Sequence, residues 1–436
     1  MKFIFHGGAR EVGRSCIEFQ TNSNKKYLFD AGIKFKEDGY DYPKVIDNLT
    51  NLEAVFISHA HLDHTGSLPL MYHKNVLPFV YMTGQTIAIT KVLLRDSFEV
   101  ARIKHLDAMY DKKDVKKCMS KARVVQFDKE YDLKDIKFKF LNAGHIPGSA
   151  SILIESDGKN ILYTGDINSR ESNLMVNLNP KEHHGKIDVL IVESTYGYRN
   201  LKSTNEVAEE LLKEITKVLE NNGSVIIPVF ALGRSQELLI ILSKLYFEKG
   251  FKYPLYFDGM ANKITRKILT ENPSYIKNIR TLSKMFFTKA NFVLSQNQRN
   301  KISLSKQPKI ILTTSGMVQG GPVMSYIKNM WGDPNIAIFL VGYQCKGTNG
   351  RMLLETGEIY LKGWKTKVKC QVKRFGFSGH LDMKEIQEYI KDVSPKTVIV
   401  QHGDEESVDN ICNWTKENLP EAKVYGPSVG DIIEIK

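Results

Sequence analysis

Apolar residues recur in short runs along the first part of the chain, and most of these runs stop at an acidic residue or a histidine. KKYLFDAG carries its apolar stretch into Asp30, EAVFISH ends on His59, and KFKFLNAGH ends on His145. SILIESDGKNILYTGD and DVLIVEST close in the same way, near Asp166 and Glu193. Short runs rich in β-branched and aromatic residues, punctuated by glycine turns, predict strands. Their polar stops would line one edge of a sheet, where α/β folds build sites from the loops at strand ends. Residues 86–122 carry many charges and few breakers, and predict a helical stretch.

From about residue 198 the texture changes. STNEVAEELLKEITKVLENNG predicts an amphipathic helix, with Ser203 or Thr204 as its cap, Glu206 in its first turn and Gly223 at its end. SVIIPVF reads as a buried strand and RSQELLIILSKLYFEKG as a second helix; KYPLYFDG and KIILTTSG read as further strands. Strand and helix alternating at this spacing predict a parallel sheet covered by helices. After about residue 375 the first texture returns, and FSGHLD and VIVQHGDEE again place a histidine behind an apolar run. The simplest division is one domain interrupted by another: 1–197 and 376–436 as its two parts, with 198–375 inserted between them.

Bulk properties narrow the class. A chain of 436 residues exceeds one ordinary core, so two domains are the default. The 42% hydrophobic and 25% charged content is that of a soluble globular protein. No run approaches the length of a membrane span, and MKFIFHGGAREVG lacks the apolar segment of a secretory signal, so a cytoplasmic location is expected. The five cysteines are scattered without a CxxC pair, which argues against a disulfide framework or a thiolate zinc site. A net charge of +12 attracts polyanions, nucleic acid first among them, although many basic proteins bind none.

The densest chemistry lies in FISHAHLDHTG, where His59, His61, Asp63 and His64 fall within six positions of a chain that has only eleven histidines. In an extended or looped segment residues two apart can face the same way, so His59 and His61 can share one metal while Asp63 and His64 face a second. Imidazole and carboxylate suit Zn²⁺, with Mn²⁺ and Fe²⁺ as alternatives. Four residues cannot close two sites. The remaining ligands must come from other strand ends, where His145, Asp166 and Asp30 are the candidates. His6, His73, His105, His183 and His184 match no motif and are expected to be structural or exposed.

HAHLDH, a lone His145, and Asp166 after Thr-Gly together resemble the metallo-β-lactamase superfamily. Glu193 in VESTYG, His380 in FSGH and His402 in QHGD match the A, B and C motifs of its β-CASP branch, and PVFALGRSQEL (residues 228–238) resembles the inserted domain of that branch. The resemblance spans nearly the whole chain. It implies an α/β fold, an αββα sandwich carrying an inserted α/β β-CASP domain. It also implies two zinc ions, one held by His59, His61 and His145 and the other by Asp63, His64 and His402, with Asp166 bridging them and Asp30 orienting the ligands. His380 would be the general acid, held and kept protonated by Glu193, while water activated by the metals attacks phosphorus. Residue by residue, the bland rivals are a turn residue for Asp30, a buried ion-pair partner for Glu193, and a cap of the helix DMKEIQEYI for His380. Lys346 and Arg351, beside the turn in GYQCKGTNGR, suit either phosphate or solvent.

Three functions compete: a metal-dependent ribonuclease, a small-molecule hydrolase such as a thioesterase or lactonase, and a subunit that keeps the fold without catalysis. A small-molecule hydrolase leaves the insertion, the Glu193–His380 pair and the basic charge unexplained. A non-catalytic subunit would be expected to have lost ligands, and every ligand position here is filled. The resemblance therefore implies a ribonuclease acting on single-stranded RNA, with histidine rather than valine in motif C favouring RNA over DNA. EVGRSC and HAHLDH lean toward the endonuclease of the polyadenylation machinery, and the glycine of FSGH leans toward ribonuclease J, a 5′-to-3′ exonuclease. The aspartate of QHGD departs from the usual glutamate and leaves the histidine intact. A homodimer and an RNA-processing complex are the associations such relatives suggest.

Overall fold

The computed structural model describes residues 1–436 except 37, 38, 48, 104, 107, 108, 184, 272, 273, 346 and 362. Strand alternation is plain from the start: in Lys2–Gly7 every second residue is buried. This strand lies in a seven-stranded sheet ordered Ile432–Glu434, Lys2–Gly7, Cys16–Gln20, Lys26–Phe29, Leu52–Phe56, Phe79–Thr83 and Ala122–Val125. A second sheet is ordered Lys423–Tyr425, Thr397–Gln401, Val189–Glu193, Lys159–Tyr163, Ala150–Ser156, Ile136–Asn142 and Glu130–Leu133. Their inner faces share one aromatic core, with Phe56 against Phe138 and Phe29 against Tyr163, each pair 4.9 Å apart between ring centres.

The outer faces are apolar too, and helices cover them. Leu28, Val55 and Val80 pack under Met71, Leu94 and Val115 on one side. Leu190, Val192 and Val398 pack under Ile386, Ile390 and Ile411 on the other. Sheets buried on both faces read as continuous apolar runs, as DVLIVE does. The result is an α/β/β/α sandwich. Its last strands close sheets that the N-terminal part begins: Ile432–Glu434 pairs with Lys2–Gly7, and Thr397–Gln401 runs parallel to Val189–Glu193.

Between these parts the chain builds a separate six-stranded sheet, ordered Ala290–Val293, Leu255–Asp258, Ile310–Thr313, Ser224–Pro228, Ile336–Leu340 and Gln371–Arg374. All of its pairings are parallel, as strand–helix alternation predicts. Ser203 and Glu206 form the capping box of helix Thr204–Glu220. That helix ends at Asn221 and leaves through Asn222 in the left-handed region, so the chain stops being helical before Gly223. The stretch expected to be helical over 86–122 is two helices, Gly84–Ile103 and Lys112–Ser120. The break comes where the Asp111 carboxylate accepts the Lys113 and Asp114 amides and starts a new helix. Among the described residues, no helix is long and apolar enough to cross a membrane.

The inserted sheet is tied to the sandwich by buried polar groups. Glu237, on helix Arg234–Ser243, accepts the backbone amides of Asn173 (2.7 Å) and Leu174 (2.9 Å) and the Ser172 hydroxyl (2.9 Å). Arg170 donates to Asp382 (2.8 Å), Glu385 (3.0 Å) and the carbonyls of Leu201 and Lys202, joining the stretch that leaves the sandwich to the one that returns. Glu237→Ala strands the buried Leu174 amide and the partly buried donors of Ser172 and Asn173. We expect it to destabilise the chain by about 3 kcal/mol, read as a lowered urea midpoint, with Glu237→Gln losing less because it keeps one acceptor oxygen.

Candidate metal centre

Five segments, strand ends, loops and a short helix, converge on one edge of the sandwich. His59 follows strand Leu52–Phe56, and Asp63 and His64 lie in the short helix Leu62–Thr65 directly after it. His145 comes from the loop between Ile136–Asn142 and Ala150–Ser156, and Asp166 from the turn after Lys159–Tyr163. His402 follows Thr397–Gln401 with its backbone in the left-handed region, at φ 51°. All seven candidate ligands meet here, although 343 positions separate the first from the last by number.

The side chains fall into overlapping groups. His59, His61, His145 and Asp166 can each direct one ligand atom to a common point, those atoms lying within 4.8 Å of one another, and so can His64, Asp166 and His402. His59 with Asp63 and His64, and Asp166 with Glu193 and His380, form further such groups. Asp166 Oδ2 is 3.5 Å from His59 Nε2, 3.7 Å from His145 Nε2 and 3.5 Å from His64 Nε2. Its Oδ1 is 3.2 Å from His402 Nδ1. Asp63 Oδ2 lies 3.8 Å from His64 Nε2 and 3.7 Å from His402 Nε2. The close approach is backbone-deep: a side chain at Gly32 would put its Cβ 1.6 Å from the Asp63 carbonyl oxygen.

The remaining ring atoms are committed elsewhere. His64 Nδ1 is 2.7 Å from Asp30, which is itself fully buried and also accepts the Ser58 amide (2.7 Å), the Ser58 hydroxyl (2.7 Å) and the Tyr163 hydroxyl (2.6 Å). His59 Nδ1 is 3.0 Å from the Ser58 hydroxyl, and His145 Nδ1 donates to the Gly379 carbonyl at 2.6 Å. Such partners set the tautomer and point the other nitrogen inward, the arrangement found behind metal-binding histidines.

The donor set fits divalent cations. His64 Nε2, His402 Nε2 and Asp166 Oδ1 are buried without a hydrogen-bond partner, a costly state for polar atoms unless something else binds them. Burial holds His59, His61 and His145 below the ordinary imidazole range. Burial also works against charging His64 and His402, but Asp166 and its neighbouring carboxylates overcome it and raise both, so those two rings must give up a proton when a cation binds. Burial works against ionising Asp166, but His402, His64 and His59 outweigh it and hold the carboxyl well below its usual range. Neutral imidazole and ionised carboxylate are the forms that bind metal.

Beside this cluster, His380 Nδ1 sits 3.0 and 3.1 Å from the two Glu193 oxygens. Glu193 is fully buried and also accepts the Ile167 amide at 2.8 Å, one residue beyond Asp166. Burial lowers the His380 pKa, but Glu193, with Asp166 and Asp63 behind it, overrides this and raises it to about 9. The helix cap is Asp382, not His380. Arg351 pairs with Glu355 at 2.6 Å on helix Asn349–Thr356, which leaves it a local ion pair, and Lys346 and His184 lie outside the described residues. His6 pairs with Glu18, His73 pairs with Asp114, and His105 is exposed. Ser58, Tyr163, Glu237, the Gly379 carbonyl and Thr195, whose hydroxyl is 3.3 Å from His402 Nδ1, support the site without being expected from the sequence. Each adjoins or lies within a stretch singled out above, but its partner is distant in sequence, so local pattern carried no signal for it.

Residues 19–195 match a metallo-beta-lactamase superfamily domain, 235–353 a Beta-Casp domain, and 365–426 a Zn-dependent metallo-hydrolase RNA specificity domain. The chain is 36% identical to a protein named Probable RNase MJ4 from Methanocaldococcus jannaschii, over 100% of both chains. It is 38% identical to an RNase J-like protein of the same organism over 92% of each chain. It is 33% identical to RNase aCSPSF2 of Saccharolobus solfataricus, covering 98% of this chain and 84% of that one. A crystal structure of a protein of unknown function from Enterococcus faecalis V583 shares the fold, with a TM-score of 0.63 over 99% of both chains at 13% identity.

The Asp30 cradle yields a test. Asp30→Ala leaves the His64 ring and the Tyr163 hydroxyl without their acceptor. It is expected to weaken metal binding by about 10–100-fold in a chelator competition, with Tyr163→Phe at the mild end of that range.

Proposed function

This chain belongs to the metallo-β-lactamase superfamily, in the branch that carries a Beta-Casp domain, and from that premise we propose that it is a divalent-metal-dependent ribonuclease hydrolysing phosphodiester bonds of single-stranded RNA in the cytoplasm, during RNA processing or decay. We assign 198–375 as the inserted domain between 1–197 and 376–436. The proposal gives His59, His61 and His145 to one cation and Asp63, His64 and His402 to a second, with Asp166 between them. Zinc suits the nitrogen and carboxylate donors best. Bound there, the cations supply activated water at neutral pH and neutralise charge gathering on the phosphoryl oxygens.

One observation carries the reading: at the edge of the cluster a histidine bonds through Nδ1 to a buried carboxylate. When a water oxygen bonds to phosphorus, the bond from phosphorus to a ribose oxygen breaks, and that oxygen needs a proton. His380 has one to give, because the adjacent Glu193 charge holds its pKa up. Glu193 is a positioning residue: it accepts from His380 Nδ1, which leaves Nε2 as the nitrogen that faces the leaving oxygen. A thioester or lactone hydrolase has less call for such a pair than a reaction that expels a ribose alkoxide. The net charge of +12 suits a polyanionic substrate, and the relatives named as RNases point the same way.

Asp166→Ala is expected to abolish RNA cleavage and lower metal content, measured together by gel assay and metal analysis; full activity at normal metal content would refute the assignment. His380→Ala should keep its metal and slow the chemical step by roughly 10²–10⁴ in single turnover. Activity requires protonated His380, so it falls as pH rises through the pKa of that ring. Glu193→Gln removes the charge that raises this pKa, so the alkaline fall moves to lower pH; an unmoved profile would exclude the pairing. The mode of attack is read with one RNA, labelled at its 3′ end and carrying a 5′-monophosphate or a 5′-triphosphate. Stepwise shortening of the monophosphate form alone identifies a 5′-to-3′ exonuclease, and internal cuts in both identify an endonuclease. No cleavage by the metal-loaded protein would return the case to a small-molecule hydrolase.

A further inference from the structure

Two arginines near His380 lack the carboxylate partners that several arginines elsewhere have. Arg170, Arg299 and Arg351 each place a guanidinium nitrogen 2.6–2.8 Å from a carboxylate oxygen. Arg199 and Arg234 have no carboxylate and no side-chain hydrogen bond among the described residues. Both rest on aromatic rings instead, as Arg123 and Arg266 do elsewhere in the chain. The Arg199 guanidinium lies 5.1 Å from the Tyr196 ring centre and 5.0 Å from that of Tyr198, and Arg234 lies 5.2 Å from that of Phe377. Arg199 Nε is buried with nothing to donate to. Such an atom costs stability unless an acceptor arrives.

Their location ties them to the reaction. Tyr196 packs edge-on to the His380 ring, 6.0 Å between centres, and Phe377 lies three residues before His380. Arg199 thus reaches the His380 side through Tyr196, and Arg234 reaches it through Phe377. A Cβ added at Gly233, next to Arg234, would lie 2.9 Å from Ile146, the neighbour of His145. Arg199 follows the strand that carries Glu193, whereas Arg234 opens a helix of the inserted domain. The two cations therefore come from different parts of the chain, each resting on a ring beside or three residues before the proposed general acid.

We propose that Arg199 and Arg234 form a clamp for the backbone phosphates of the departing part of the RNA, next to the bond being cut. This rests on the ribonuclease reading and adds to it the groups that hold the leaving strand. The geometry suits phosphate in three ways. A guanidinium presents a planar fork of donors that matches two phosphate oxygens. Stacking on tyrosine or phenylalanine fixes the fork's plane while leaving its N–H edge free. A leaving group pinned on the His380 side keeps its oxygen within reach of the proton donor.

The test is steady-state cleavage of a single-stranded RNA of twelve nucleotides by the metal-loaded full chain, across a series of KCl concentrations. Arg199→Gln and Arg234→Gln should each raise KM roughly tenfold, with metal content unchanged. Each should also flatten the slope of log kcat/KM against log salt by about 0.7, the loss of one phosphate contact on a single strand. Arg→Lys at the same positions keeps the charge, so it should restore the salt slope while recovering only part of KM; this pair serves if a glutamine variant fails to fold. Folded variants with the wild-type KM and salt slope would overturn the clamp and leave the ribonuclease reading intact. Wild-type protein that binds its metals and cleaves no RNA would overturn both.

Discussion

A carboxylate with almost no exposure, at the rim of an apolar sandwich, is the constraint from which the rest follows. Asp166 cannot ionise there without positive charge close by, and among the described residues the fold surrounds it with five imidazoles and pairs it with no lysine or arginine. An ammonium or guanidinium would neutralise it permanently and close the site. Imidazoles leave the charge available to a divalent cation, because a neutral ring and a proton or metal can exchange on the same nitrogen. The partnerless atoms on Asp166, His64 and His402 are the trace of that arrangement.

Holding the cluster together takes a further ring of groups that never reach the cluster's centre. Asp30 gathers Ser58, Tyr163 and His64 around one buried carboxylate, at a strand end forced into the left-handed backbone region. Glu193 binds the Ile167 amide beside Asp166 and the His380 ring at once, so the proposed acid and the proposed bridging ligand move as one unit. The Gly379 carbonyl aims His145, which makes the segment carrying the proposed acid a support for the metal cluster as well. Glu237 and Arg170 extend this outward, fixing the loops that follow Asp166 to the inserted domain and to the returning chain. A shift between the two domains would therefore be felt at the cluster through hydrogen bonds, and the aromatic and arginine side chains at the junction lie directly in its path.

Much of this was legible in the primary structure. Strands were readable because buried residues in a sheet two layers deep must be apolar, and their ends because a polar residue is tolerated only where the sheet stops. The capping box at Ser203 and Glu206 is local chemistry and was readable as such. HAHLDH was readable because a metal demands specific atoms at short range, and three histidines in six positions satisfy no ordinary packing need. The break near residue 111 and the helix end before Gly223 were not, because a single aspartate or asparagine decides them in competition with many charged neighbours that tolerate either state.

By itself, then, the sequence determined which residue types could bind metal, where strands alternate with helices, and that a long insertion separates two stretches of similar texture. Only the tertiary structure decided that His402 and Asp166 face each other 3.2 Å apart, that Glu193 bonds to His380 rather than to an arginine, and that Arg199 rests on Tyr196 and Arg234 on Phe377. The physical reason is range. Propensity, capping and alternation act over a few residues and leave their mark on neighbouring letters. Sheet order and the return of the C-terminal strands act between segments hundreds of residues apart, and the free energy that selects those pairings belongs to the closed core as a whole.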